Sequence, residues 1–213
     1  MNTRSVVSVL GALIVCAAPL AGSAADAPPH HIRGVVSGVA GDKVTIVTAD
    51  GPAVVTITDA TKFAGVLPAT ASDIMPGTFI GTANVEGTGP ARALEVVVFP
   101  AAMAGTGEGD YPWDLPAGGG HMSTMTNGTV AEPKMSTMTN GTVASAQSGA
   151  TKVVKLTYKG GTKVVSIGKD TPIVRVVPAS RSLLVKGAHV VAFPPASGAP
   201  FVVIGEQGTV PPM

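Results

Sequence analysis

The chain has 213 residues, of which 45% are hydrophobic, 4% aromatic and 13% charged, and its formal net charge is +1. Its 27 glycines and 18 prolines, together with abundant valine and threonine, favour short strands and turns over helices. In the basic C-terminal half, Lys152, Lys155, Lys159 and Lys163 are not interleaved with stacking aromatics, which argues against a nucleic-acid partner.

The N-terminus has the pattern of a secretory signal peptide over residues 1–25. Arg4 supplies the positive charge, Val6–Ala18 the apolar segment, and Gly22–Asp26 the small-residue cleavage site. We therefore expect a periplasmic or secreted protein. No later run approaches the ~20 apolar residues of a transmembrane helix.

The only cysteine, Cys16, lies inside that apolar segment, so cleavage leaves a mature chain without a thiol. Disulfides, thiolate metal ligands and cysteine nucleophiles are then excluded together. The alternative is a lipoprotein attached through Cys16, although Val15 stands where a small residue is wanted.

An internal repeat becomes visible when the chain is shifted by 110 residues. Residues 44–81 then align with residues 154–191 without a gap, and 11 of 38 positions are identical. The identities that a valine-rich composition does not explain are Gly51/Gly161, Gly77/Gly187, Pro68/Pro178 and Ser72/Ser182. We predict two copies of one module, at residues 31–100 and 138–210.

Each module has the pattern of a β-meander. Asp50-Gly51 separates two alternating runs in the first module, and Gly160-Gly161 does so in the second, as expected for β-hairpins. A single helical turn follows, with Ser72 as its cap, Ile74 and Met75 closing the barrel end, and Pro76-Gly77 ending it.

These elements predict an all-β protein. We expect two tandem small antiparallel β-barrels, OB-like, each with one short helical turn and joined by an irregular linker. Barrels with so few strands fill with valine, isoleucine and leucine, so no large ligand cavity is expected.

The run from Gly34 to Phe99 contains GVVSGVAGDKVTIVTADG, VTITDATKF, SDIMPGTFIG and ALEVVVFP. It resembles a widespread class of exported bacterial β-domains catalogued only as a domain of unknown function. GTGEGDYPWDLP followed by STMTNGTV resembles the linker-and-strand signature of a two-domain proteobacterial subgroup. The resemblance covers nearly the whole mature chain and implies a fold, but no activity and no catalytic residues.

The predicted linker, residues 101–137, holds the single tryptophan and three acidic residues in a glycine-rich stretch. One interpretation is that its aromatics cover a barrel edge or the seam between the modules. The other is a recognition site in which the indole stacks on a sugar or peptide that the carboxylates hydrogen-bond. The candidate partner-binding residues are Glu108, Asp110, Tyr111, Trp113 and Asp114.

Catalytic patterns are not convincing. Pro112 and Pro116 exclude the helix that a dinucleotide-binding GTGEG would need. Carboxylates on a short glycine-rich loop lack the fixed separation that a glycosidase requires. His189 aligns with Phe79, which indicates a core or edge strand position. We therefore predict no enzyme activity.

A Cu(I) site is the metal hypothesis, since thioether and imidazole ligands suit that ion. Its candidate ligands are His121, Met122, Met125, Met135 and Met138. Against it, MTNGTV aligns with HIRGVV at the start of the first module, which makes each methionine string a candidate strand whose residues three apart face opposite sides.

The ten-residue string at Met122–Ala131 recurs unchanged at Met135–Ala144. Only one copy can be the first strand of the second module. We assign that strand to Met138–Ala144, which leads through a short turn into KVVKLTY, and leave the upstream copy in the linker.

The two halves differ in charge. Residues 26–134 carry eleven acidic and five basic residues, net −6, and residues 135–213 carry two acidic and eight basic residues, net +6. Acidic module 1 and basic module 2 are therefore expected to dock on one another. The favoured function is an exported, non-enzymatic envelope protein, structural or binding a protein or glycan, with no cofactor. The alternative is a Cu(I)-binding or metal-trafficking accessory protein.

Overall fold

The computed structural model describes residues 30–117, 122–132, 151–194 and 199–212. The predicted signal peptide and Cys16 lie outside these ranges. The described chain is all-β, as predicted, and its helical residues form three single 3-10 turns, Ala71–Asp73, Ala101–Met103 and Arg181–Leu183. No helix in the described ranges is long and apolar enough to cross a membrane.

Thirteen strands follow one another along the described ranges. The first six are β1 (Ile32–Ala40), β2 (Lys43–Thr48), β3 (Gly51–Thr56), β4 (Lys62–Pro68), β5 (Phe79–Val85) and β6 (Ala91–Val98). The others are β7 (Gly109–Pro116), β8 (Met122–Val130), β9 (Lys152–Tyr158), β10 (Gly161–Ile167), β11 (Ile173–Pro178), β12 (His189–Phe193) and β13 (Phe201–Gly205).

Two lobes are built from these strands. In the second lobe β10, β9, β8, β5 and β6 pair in that order, and parallel pairing of β10 with β6 closes a five-stranded barrel. The first lobe has the corresponding strands β3, β2, β1, β12 and β13 in that order. Strands β4 and β11 pair with each other between the lobes. On their other edges, β4 pairs with β13 of the first lobe, and β11 pairs with β6 of the second.

The pairing does not confirm two tandem barrels. The first lobe takes β1, β2 and β3 from the first repeat and β12 and β13 from the second. The second lobe takes β8, β9 and β10 from the second repeat and β5 and β6 from the first. Each lobe therefore contains strands of both repeats. The two halves of the chain are joined by backbone hydrogen bonds between β4 and β11.

The prediction of an irregular linker over residues 101–137 is wrong for two segments. Gly109–Pro116 is strand β7, and Met122–Val130, the upstream copy of the repeated string, is strand β8. The upstream copy forms a strand because its backbone is paired on both sides, with β5 along one edge and with β7 and β9 along the other. The downstream copy lies outside the described residues.

The predicted helical turn is present, with a different cap. Ala71–Asp73 forms the turn, and Thr70 precedes it in place of Ser72, donating its N–H to Asp73 Oδ2 at 2.7 Å. Ile74 is buried in the second lobe, as expected of a residue that closes a barrel end, whereas Met75 is exposed.

Two apolar cores fill the lobes, because alternate strand residues point inward. The first-lobe core contains Val36, Val44, Ile46, Val55, Ile57, Leu184, Val190, Ala192, Val202 and Ile204. The second-lobe core contains Ile74, Ile80, Ala91, Ala93, Val96, Val130, Val154, Leu156, Val165 and Ile167.

Candidate functional site

Strand β7 presents two chemically different faces, because its side chains alternate. Tyr111 and Trp113 lie on one face, and Asp110 points to the other. The aromatic face packs where the two repeats meet, and the acidic face lies against the second lobe. Three of the predicted partner-binding residues, Asp110, Tyr111 and Trp113, lie in these two surfaces. Asp114 bonds to the start of β1 beside them, and Glu108 is exposed.

We call the first surface the aromatic seam: His31, Tyr111, Trp113 and Phe193. The Trp113 side chain is buried, with the residue 5% exposed, and it packs on Ala83 and Met125. The His31 ring lies 4.3 Å from the indole and 4.6 Å from the Phe193 ring, measured between centroids. A buried indole is the arrangement expected of an anchor across a seam, and its faces are not open to a ligand in this structure.

Asp114 ties the seam to the start of β1. It accepts the His31 backbone N–H at 2.7 Å, the His31 Nδ1–H at 2.8 Å and the Arg33 Nη1–H at 3.0 Å. Burial alone would raise the pKa of Asp114, but the hydrogen bonds from Arg33 and His31 outweigh it and hold that pKa well below its usual range. Burial lowers the pKa of His31, and the Asp114 carboxylate only partly offsets this.

Tyr111 completes the seam at its edge. Its ring meets the Trp113 indole nearly edge-on at 6.1 Å, and its hydroxyl oxygen accepts a hydrogen bond from Asn127 Nδ2 at 3.0 Å. Burial raises the pKa of the Tyr111 hydroxyl. The aromatic seam is therefore packed and largely neutral, which suits a structural role.

The second surface, which we call the polar mouth, is a set of polar side chains that are joined by hydrogen bonds on and beside the strands of the second-lobe barrel. Two of its residues continue inward strand faces that carry core residues: Asn84 lies four positions after Ile80 on β5, and Lys163 lies two positions before Val165 on β10. The polar mouth consists of Asn84, Glu86, Asp110, Thr124, Thr126 and Lys163.

A closed ring of hydrogen bonds connects these side chains. Lys163 Nζ donates to Thr124 Oγ1 at 3.0 Å, and Thr124 Oγ1 donates to Asn84 Oδ1 at 3.1 Å. Asn84 Nδ2 donates to Thr126 Oγ1 at 2.9 Å, and Thr126 Oγ1 donates to Asp110 Oδ1 at 2.7 Å. Lys163 Nζ closes the ring on Asp110 Oδ1 at 3.0 Å. The ring holds Asp110 in one position.

Lys163 is the charged centre of the polar mouth. Only 9% of it is exposed, and its ammonium group pairs with Glu86 at 2.7 Å in addition to Asp110. Burial alone would lower its pKa, but the hydrogen bonds to Glu86 and Asp110 outweigh burial and raise the pKa. The amine is therefore cationic at neutral pH.

The first lobe has no such polar mouth at the equivalent positions. By the offset of 110 residues, Lys163 corresponds to Ala53 and Asn84 to Pro194, and by the HIRGVV alignment Thr126 corresponds to Ile32. Ile32 packs against the first-lobe core. Polar side chains in a valine-filled barrel cost free energy unless they are hydrogen-bonded. The hydrogen-bonded polar side chains at these positions therefore distinguish the second lobe from the first.

An open cavity of about 580 Å³ lies against the polar mouth. Its lining includes Glu86, Asp110 and Lys163, together with Tyr158 and the Gly89-Pro90 turn. Its volume is within the range of small-ligand sites. The sequence predicts no large ligand cavity inside the barrels, and this cavity is an open one at the surface of the second lobe.

Of the five candidate Cu(I) ligands, the structure describes Met122 and Met125, and it does not bring these two together. Met122 is 59% exposed and Met125 is 2% exposed, so the two lie on opposite sides of β8. His121, Met135 and Met138 lie outside the described residues. Within the described ranges, no three His, Cys, Asp or Glu side chains are grouped as metal ligands.

Lys163, Glu86, Asn84, Thr124 and Thr126 were not among the predicted site residues. One signal in the sequence could have found Lys163. In GTKVVSI it occupies the same alternation phase as Val165 and Ile167, so a lysine stands where the pattern demands an inward apolar residue.

Comparison with protein-family models, with curated proteins and with solved structures gives no match to this chain.

Proposed function

We propose that the protein is an exported, non-enzymatic binding module of the cell envelope, and that the polar mouth of its second lobe binds the partner. The N-terminal signal pattern and the resemblance to exported β-domains support the location. The observation that carries the proposal is that one of two sequence-related lobes bears a buried lysine and two carboxylates beside an open cavity, while in the other lobe Ala53 stands at the position of that lysine.

A glycan is the favoured partner. Carboxylates, threonine hydroxyls and an ammonium group offer the donors and acceptors that sugar hydroxyls require, and Tyr158 offers a ring edge or face to a sugar. The aromatic seam has a different role in this proposal: it fixes β7, so that Asp110 is rigid when the partner arrives.

Catalysis is not part of the proposal. Lys163 is held cationic between two carboxylates, and the His31–Asp114 pair is stacked between aromatic rings. Neither arrangement supplies a general base within reach of an open cavity.

The test is binding of solubilised envelope glycan fragments to the mature chain, measured by calorimetry. Asp110→Asn/Glu86→Gln should weaken binding at least 10-fold. Asp42→Asn is the matched control, because Asp42 forms an exposed ion pair with Arg181 on the other lobe. Equal affinity in all three proteins would remove the polar mouth from the proposal. Failure of the wild type to bind glycan, with capture of an envelope protein instead, would change the partner class.

A further inference from the structure

The amino-acid sequence of strand β8 occurs twice in this chain. It runs Met122–Val130, and the ten residues Met122–Ala131 recur without change at Met135–Ala144. The duplicated unit therefore contains the whole strand and also Ala131, whose N–H donates to Lys155 O at 2.8 Å. We propose that either copy can fill the β8 position, so that the chain exchanges between two strand registers thirteen residues apart.

The second copy carries every side chain that the position uses. Met125 packs on Trp113, Thr126 donates to Asp110, and Gly128 lies under β9. The same residue types stand at Met138, Thr139 and Gly141. Ordinary register slips move side chains to the wrong face, and this penalty fixes register in most sheets. A slip of thirteen residues onto an identical string carries no such penalty.

The connecting segments allow both registers. With the first copy in place, the connections between β7 and β8 and between β8 and β9 have 5 and 21 residues. With the second copy in place they would have 18 and 8 residues. Lengthening one loop while shortening the other nearly cancels in the loop-closure entropy, so the two populations should differ by less than about twofold. No other strand has to move.

Gly128 makes the exchange measurable. A Cβ atom at Gly128 would lie 2.7 Å from Thr157 O on β9, so no side chain fits there without displacing the backbone. Gly34 occupies the same position in β1, where a Cβ would collide with Val47 O. Gly34 has no second copy, which makes it the matched control.

The experiment compares unfolding equilibria of Gly128→Val, Gly141→Val, the double variant and Gly34→Val in the mature chain. Each single substitution in the duplicated string removes one of two equivalent folded registers, so it should raise the unfolding constant only about twofold. The double variant and Gly34→Val should raise it by ~100-fold or more. The proposal is overturned if Gly128→Val is as damaging as the double variant while Gly141→Val has no effect.

A second measurement detects the registers directly, and it decides the matter if Gly34→Val proves to be tolerated. Thr129 lies opposite Thr157, and Thr142 is its duplicate. Thr129→Cys/Thr157→Cys and Thr142→Cys/Thr157→Cys should form disulfides at rates within about twofold of each other. Ser148→Cys/Thr157→Cys reports chance collision and should be much slower. A Thr142 cross-link no faster than this control overturns the exchange.

Discussion

Val66 lies directly opposite Val176 in the β4–β11 pair, and the two valines are the same position of the two repeats. An antiparallel pair in which a residue faces its own repeat equivalent has a local two-fold axis between the two strands. Both valines are buried in the apolar cluster between the lobes. The repeats are therefore related as the subunits of a strand-exchanged dimer joined into one chain.

Neither half of the chain should fold alone. A fragment of residues 26–117 contains β1 to β7 but lacks β12, β13 and β8, the partners of β1, β4 and β5. We expect no cooperative thermal transition by circular dichroism for residues 26–117 or for residues 118–213, and recovery of a transition when the two are mixed. Cooperative unfolding of either fragment by itself would contradict the shared-lobe arrangement.

Trp113→Ala should be among the most destabilising single changes. The indole fills the space between β5, β8 and the rings of His31 and Phe193, so its removal leaves a cavity and should cost about 3–5 kcal/mol. Chemical denaturation measures this loss. Met122→Ala is the control, since Met122 is largely exposed and should change stability by no more than about 0.5 kcal/mol. Similar values for both would show that the indole does not anchor β7.

Acid should destabilise the fold through His31. Its pKa is lowered in the folded protein, so between that pKa and about 6.5, the value for an unfolded chain, the unfolded state binds more protons. The contribution of the neutral ring is complete above about pH 6.5 and is lost as the pH falls through the folded pKa. The melting temperature should fall between pH 7.5 and pH 5 in the wild type, and less steeply in His31→Gln. An unchanged slope in His31→Gln would place the titration elsewhere.

Lys163→Met should destabilise the second lobe by about 1–3 kcal/mol, since it removes the donor shared by Asp110, Glu86 and Thr124. The Lys163 pKa is raised, so the contribution of its charged form is complete below about pH 10.4 and is lost as the pH rises through the folded pKa. Denaturant titration at neutral pH is the measurement. Lys169→Met removes an exposed pair with Asp170 and should cost less than about 0.5 kcal/mol. Equal losses would argue that the polar mouth is hydrated and loose.

The repeat was visible in the sequence because turn and cap residues recur at one offset, and the strands follow from their alternation. The exchange of strands was not visible, for a physical reason. Strands β5 and β12 are equivalent, with Phe79 aligned to His189, so β1 finds similar local contacts with either. The loops between strands and the β4–β11 pair determine whether β1 pairs with β5 or with β12. Neither feature leaves a periodic signal in the sequence.

The candidate site was only partly predictable. Composition singled out the segment with Asp110, Trp113 and Asp114, and all three make long-range contacts in the structure. Whether the indole was covered or open depended on His31 and Phe193, which are distant in sequence and meet it only through the exchanged strands. Which copy of the repeated string formed β8 was undecidable from pattern, because the strings are identical.

The most direct test of the account is a disulfide across the two-fold axis. Sharing of both lobes by both repeats is its central claim, because this arrangement brings β5, β7 and β10 around Lys163. Opposed residues of an antiparallel pair have Cα atoms about 4.5–5.5 Å apart, within disulfide range. Val66→Cys/Val176→Cys in the mature chain should oxidise rapidly to an intramolecular disulfide and keep a cooperative transition. Free thiols after oxidation of the folded protein, or cross-linking only between molecules, would contradict the account.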